Sequence, residues 1–286
     1  MERFFEQDEL KSGLTSVGLR FAPYSPARNL GTYCAVRFFN PTNIFFLDDD
    51  CLILHPGKLR SQLRLIQTKL NQRNIVTVTG LYKDLSLFEQ EKTSEHHISE
   101  KVLGILLGMN AFLRKSFVVE KIRFKMMPPH MLGGALILNK KVFCTLPFDP
   151  YVARGEDHAY ALDLKNFLGR NELAVRDNCF IVGHQRGEII KRRAHINILR
   201  NIFRFIYVHA KTGRSFISFF VLRRLFASII QLLLNPSNYK QHKNELWALL
   251  FVAPKFAKEN ACKFRQNVRA WESFLDQSKI LSVKGL

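Results

Sequence analysis

Ile44-Phe45-Phe46-Leu47-Asp48-Asp49-Asp50 is the stretch on which the fold turns. A run of bulky apolar residues fits a buried strand, and here it passes without a spacer into three carboxylates. Open α/β sheets place their ligands at such strand ends. Alternate side chains share a face in extended backbone, so Asp48 and Asp50 can converge on a hard divalent ion and leave positions open for diphosphate oxygens. The competing reading is a solvated acidic turn. A buried strand in an otherwise basic chain favours the ion, with Asp48 and Asp50 ahead of Asp49.

Working outward, Ile75-Val-Thr-Val-Thr79, Ala135-Leu-Ile-Leu138 and Cys179-Phe-Ile-Val182 are further strand-like runs bounded by polar or turn residues. Pro56 can open a helix, and Leu59, Leu63, Ile66 and Leu70 follow at spacings of 4, 3 and 4, which is an amphipathic crossover. Strands alternating with helices predict an α/β fold with a mostly parallel sheet. Past Gly187 no strand pattern appears. Apolar residues there recur at helical spacing through 196–209, 216–234 and 246–256, with Asn235-Pro236-Ser237 as a break. The expected organisation is an α/β domain over residues 1–187 and a basic helical subdomain over 188–286.

Two more clusters carry candidate chemistry. Gly133-Gly134 before a strand allows close backbone approach to a ligand, and Glu156-Asp157 opens an expected helix running through Leu168. Helix capping alone selects acidic residues at such a position. Capping does not explain their arrival after a strand-end acidic turn and a glycine pair. His184 ends the strand Cys179–Val182 a residue or two on, and imidazole is a good ligand for manganese-like ions, so it can complete a metal site built on the acidic turn.

The 286 residues (33.2 kDa) are 47% hydrophobic and 23% charged, which excludes disorder, collagen and a disulfide mini-protein. Lys and Arg number 43 against 24 Asp and Glu, a net +19, so an anionic partner is called for: nucleic acid, anionic lipid or a phosphorylated substrate. From Gly187 onward, 18 Lys and Arg face 5 Asp and Glu, placing most of the excess in the tail. Those basic residues are interleaved with apolar helical faces and show no recognition motif, which argues against nucleic acid. They suit a helical cap on the sheet or an element lying on an anionic bilayer. Five cysteines without a Cys-x-x-Cys pair fit a reducing, cytosolic setting. Residues 1–11 are polar and acidic rather than signal-like, and 216–234 is broken by Arg223 and Arg224, so it reads as a packed or surface helix.

The order of these motifs resembles the nucleotide-sugar-dependent glycosyltransferases of the GT-A fold, in particular the family-2-like group. Ser25-Pro-Ala-Arg28-Asn29-Leu-Gly31 is similar to the family's ARNxG segment, Phe45 to Asp50 to its DxD strand, and Gly155-Glu156-Asp157 to its acidic ED motif. The stretch from Gly133 through Phe148-Asp149 to Asp157 also resembles β-1,4-galactosyltransferase-type domains, with Ala153-Arg154 where they carry tryptophan-glycine. The resemblance covers roughly residues 20–187. It implies a GT-A-like, Rossmann-like fold and a nucleotide-sugar donor, UDP-sugar favoured, with a saccharide or lipid-linked acceptor. It assigns Asp48 and Asp50 to the donor's ribose and its Mn²⁺ or Mg²⁺, Asp157 to the general base and Glu156 to acceptor binding. Donor contacts would come from Arg28, Asp48, Asp49, Gly133, Gly134 and Arg186, with Arg28 and Arg186 at the donor phosphates, which a guanidinium binds bidentately, and metal contacts from Asp48, Asp50 and His184.

The family's first strand, nucleotide-contacting loop and helix precede the ARN segment, whereas 24 residues precede Ser25 here. The resemblance therefore implies an N-terminally truncated nucleotide site. Two expectations follow: a cytoplasmic, metal-dependent, inverting transferase, peripheral on the inner face of a membrane if its acceptor is lipid-linked, or an inactive remnant that binds a sugar or a partner.

Overall fold

The structure, a computed structural model, describes residues 24–72, 74–85, 124–126, 131–152, 155–167, 173–184, 203–204, 206–208, 210–211 and 251–283. Arg186, Arg154, the 187/188 boundary, residues 1–11 and the 216–234 stretch lie outside them. In chain order the elements are α1 (Tyr24–Phe39), β1 (Asn43–Phe46), β2 (Cys51–Ile53), α2 (Pro56–Gln72), β3 (Ile75–Asp84), β4 (Phe124–Met126), β5 (Leu136–Asn139), α3 (Lys140–Thr145), α4 (Glu156–Phe167), β6 (Leu173–His184) and α5 (Ala253–Val283). A 3₁₀ turn, Gly133–Ala135, leads into β5.

The chain is α/β, and its six strands form one sheet in the order β1-β5-β3-β6-β2, with β4 also on β6. The expectation of a mostly parallel sheet needs correction. Among the described pairings only β3 with β6 is parallel, whereas β1 with β5, β3 with β5, β2 with β6 and β4 with β6 are antiparallel. Hydrophobic runs carry no information on strand direction, and β5 runs against both neighbours; nor is the apolar run of β1 buried as expected, since it lies half-buried at one end of the strand order. β1 and β2 lie at opposite ends of the strand order, yet only the acidic turn separates them in sequence. So short a link requires the sheet to curl.

Side-chain alternation along β5 splits the core between two faces. Leu136 and Leu138 join a cluster with Phe143, Phe148, Tyr160 and Trp271, while Ile137 joins Ile66, Leu70, Val175 and Phe180 on the other side. The helix expected from Pro56 is α2, and its stripe Leu59, Leu63, Ile66 and Leu70 faces that second cluster. α5 packs its Trp271 and Leu275, both fully buried, into the first cluster, and the Trp271 indole donates to the Phe143 carbonyl at 2.9 Å. Its Lys255, Lys258, Lys263, Arg265 and Arg269 are exposed. This part of the tail is thus a helix capping the sheet. No described helix is long and apolar enough to cross a membrane.

α1 inverts the usual pattern. Its buried positions are Ser25, Pro26, Arg28, Asn29, Thr32 and Val36, at helical spacing but mostly polar, while Phe38 and Phe39 are exposed. Asn29 donates to the Phe148 carbonyl at 2.9 Å and accepts from the Phe148 N–H at 2.8 Å, locking the loop after α3 onto this face. Such bonds offset the cost of a buried polar helix face, although Ser25 Oγ and Arg28 Nη1 on the same face have no hydrogen-bond partner among the described residues.

Candidate functional site

The acidic turn is a true turn rather than extended backbone: the Cys51 N–H donates to the Asp48 carbonyl at 3.0 Å. Asp48 and Asp50 converge all the same. Carboxylate oxygens of both, with the Cys51 sulfur, lie within 4.8 Å of one another, whereas Asp49 is exposed. Cys51 is the register partner of His184 across the β2·β6 pair, which brings the imidazole to the turn. His184 Nε2 lies 3.2 Å from Asp50 Oδ2, and its ring stacks on Tyr82 at 5.2 Å between centroids.

Arg28 reaches the turn from α1. Its Nη2 donates to Asp48 Oδ1 at 2.6 Å and stands 3.2 Å from Glu156 Oε1, so one nitrogen bridges two carboxylates that are 108 positions apart. The guanidinium also sits over the Phe148 ring. Burial works against its charge, but Glu156 and Asp48 outweigh that and raise its pKa above the ordinary arginine value. Asp48 is itself raised, by burial first, with Arg28 opposing. Arg28, expected at donor phosphates, is thus engaged with the protein's own acids.

Gly133 and Gly134 have close neighbours within the protein itself. A Cβ at Gly133 would fall 2.3 Å from both terminal nitrogens of Arg28, and one at Gly134 would fall 2.7 Å from the Tyr82 hydroxyl and 2.8 Å from Asp48 Oδ2 and Cys51 Sγ. The pair lets the backbone nest against the charged cluster. Their amides are used as well. The Gly134 N–H donates to the Tyr82 hydroxyl at 2.5 Å, and that hydroxyl lies 3.3 Å from Asp48 Oδ2. The Gly133 N–H points at Asp157 Oδ2, 3.4 Å away.

Glu156 and Asp157 open α4 immediately after Gly155, whose φ of +73° suits glycine. Glu156 turns inward and is buried against Arg28; burial first, then the Asp157 charge, push its carboxyl up to about 7. The expected acceptor-binding role therefore meets a side chain facing the protein interior. Asp157 is half-exposed.

Asp48, Asp50 and Cys51 form the group of described residues whose ligand atoms converge closely enough to hold an ion. Burial and the neighbouring carboxylates push the Cys51 thiol up to about 12, and its sulfur lies 3.7 Å from Asp50 Oδ1. His184 adds an imidazole beside Asp50. Two buried nitrogens, Arg28 Nη1 and His184 Nδ1, have no hydrogen-bond partner among the described residues.

Eight of the ten residues singled out from sequence (Arg28, Asp48, Asp50, Gly133, Gly134, Glu156, Asp157, His184) meet here; Asp49 points to solvent and Arg186 is outside the described residues. Tyr82 and Cys51 were missed. The Ile75–Thr79 run does not end at Thr79 but continues to Asp84 through a register shift between Thr79 and Leu81, and beyond that shift alternation cannot be followed. Gly80 was the available signal, since a Cβ there would fall 2.4 Å from the Phe180 carbonyl oxygen. In comparisons with known proteins, no family model, no curated protein and no solved structure matches this chain.

Proposed function

We propose that this chain is a metal-dependent, inverting glycosyltransferase of GT-A type that moves a sugar from a nucleoside-diphosphate sugar, UDP-sugar favoured, to a saccharide or lipid-linked acceptor. The observation that carries the reading is the bridge at Arg28. It joins the strand-end aspartates to the acidic helix start, two motifs far apart in sequence that the reaction needs side by side. Asp48, Asp50 and His184 would hold Mn²⁺ or Mg²⁺, which when bound would neutralise charge developing on the departing diphosphate. Asp157, half-exposed and 3.4 Å from the Gly133 amide, would take the acceptor hydroxyl's proton. Tyr82 and Gly134 hold Asp48 in orientation from behind.

The test is turnover of a panel of UDP-, GDP- and dTDP-sugars with Mn²⁺, alongside titration calorimetry of Mn²⁺ and UDP. Asp157→Asn should lower turnover by about 10²-fold or more and leave Mn²⁺ and UDP affinity unchanged, because a general base acts in the transition state. Asp50→Ala should abolish Mn²⁺ binding while the melting curve stays in place, since an exposed turn carboxylate contributes little to the core. Mn²⁺-dependent UDP binding without turnover of any donor would favour the binding remnant. Absence of both would end the reading.

A further inference from the structure

Arg28 does more in this geometry than neutralise an aspartate. Its side chain is 8% exposed and its stem is fixed on the inner face of α1, next to the Asn29–Phe148 clasp. The glycine at 133 admits the guanidinium so closely that no side chain could stand there. Asp48 and Glu156 then draw on the same nitrogen, at 2.6 and 3.2 Å. Two acids on one guanidinium whose stem is fixed are not independent, because a Glu156 that loses its charge releases the guanidinium head to close on Asp48 alone.

We propose that Arg28 is a positioning residue that couples the acid pair of α4 to the cation-holding turn, so that a carboxylate at Glu156 frees Asp48 to bind a divalent ion. The coupling rests on the metal reading given above. With Glu156 ionised, Arg28 is held from both sides and competes weakly for Asp48; with Glu156 neutral, Arg28 pairs with Asp48 alone and competes strongly. The α4 end of the site thereby controls the affinity of the turn, although Glu156 is not a ligand.

Mn²⁺ alone, titrated calorimetrically into the full chain at pH 8, is the probe. Glu156→Gln, which keeps the shape of the side chain, should weaken Mn²⁺ binding by about three- to tenfold. The same substitution made in an Arg28→Met background should change Mn²⁺ affinity little, whereas in an Arg28→Lys background, which keeps the charge, much of the effect should return. Where melting shows that Arg28→Met has not folded, Arg28→Gln takes its place. Equal weakening with and without the arginine charge would mean that Glu156 acts through its own field, and the proposal would fall. Unchanged affinity in Glu156→Gln would overturn it before any Arg28 variant is made. A wild-type chain that binds no Mn²⁺ removes the metal reading and this coupling together, while Mn²⁺ binding with an additive cycle removes the coupling alone.

Discussion

Two clusters in this molecule share a plan, one cation between two carboxylates, and differ in how they are closed. At Arg28, the partners Asp48 and Glu156 are joined by a second, outer layer: Asp50 with 47% of its side chain exposed, Asp157 half-exposed, and His184. At Lys211, in helical backbone beside Tyr207, the ammonium meets Asp149 Oδ2 at 2.6 Å and Asp163 Oδ2 at 2.5 Å, and the Tyr207 hydroxyl donates to Asp149 at 2.9 Å. Asp149 also accepts from the Tyr151 N–H, and the ammonium lies 4.1 Å from the centre of the Phe264 ring on α5. That cluster has no exposed outer layer of acids among the described residues: exposures are 9% for Lys211, 1% for Asp149 and 10% for Asp163. The same charges make a fastener where they are sealed and leave acids at the surface where they are not. Phe148 and Asp149 are adjacent, so the fastener holds the very loop that Asn29 clasps beside the site.

The largest effect that can break this contrast is on stability. Lys211→Met strands two buried carboxylates, and removing one partner of a buried ionic group costs about 3–5 kcal/mol. Denaturant unfolding should show a loss of that size. A loss comparable to a surface substitution would mean that the cluster is hydrated and not a fastener.

The next effect is smaller and is read at the open cluster, although burial also pushes Asp163 of the sealed cluster up to about 6. Glu156 is raised from 4.5 to about 7, by burial and by Asp157, against the pull of Arg28. A folded-state value above the unfolded one means the native chain holds a proton that the unfolded chain has released. Its contribution to stability is therefore fully present below pH 4.5 and lost as pH rises towards 7. Glu156→Gln should flatten the fall in stability across that interval by on the order of 1–3 kcal/mol relative to wild type. Parallel stability–pH curves for the two proteins would show that Glu156 titrates alike in the folded and unfolded chain.

What the sequence disclosed follows the same division. Asp48, Asp50, Glu156, Asp157 and His184 were legible because each stands where a regular element begins or ends, and the local pattern marks that place. The crossover helix α2 was legible from its apolar spacing. Strand direction was not, since alternation is blind to it, and β2, with three residues, is too short to show a period. Arg28 was reached through the resemblance, because α1 buries a polar stripe that hydrophobic patterning cannot see. The fastener was invisible: Lys211 and Asp149 are 62 positions apart, and nothing in either neighbourhood names the other.

The smallest effect belongs to Tyr82, the residue the pattern missed, and it sharpens the contrast at a single oxygen. Its hydroxyl accepts from the buried Gly134 amide and lies within hydrogen-bond range of Asp48 Oδ2. Tyr82→Phe keeps the ring against His184 and removes only that oxygen. The Gly134 N–H, buried and without this acceptor, should cost about 1–2 kcal/mol of stability. Asp48 would at the same time lose a neighbour that orients it, so Mn²⁺ affinity should fall modestly while the fold survives, a pairing of losses that Lys211→Met would not produce in a refolded sample. Should Tyr82→Phe lower stability and leave Mn²⁺ titration untouched, the hydroxyl serves the 3₁₀ turn alone. Asp48 would then be held by Arg28 without help from β3.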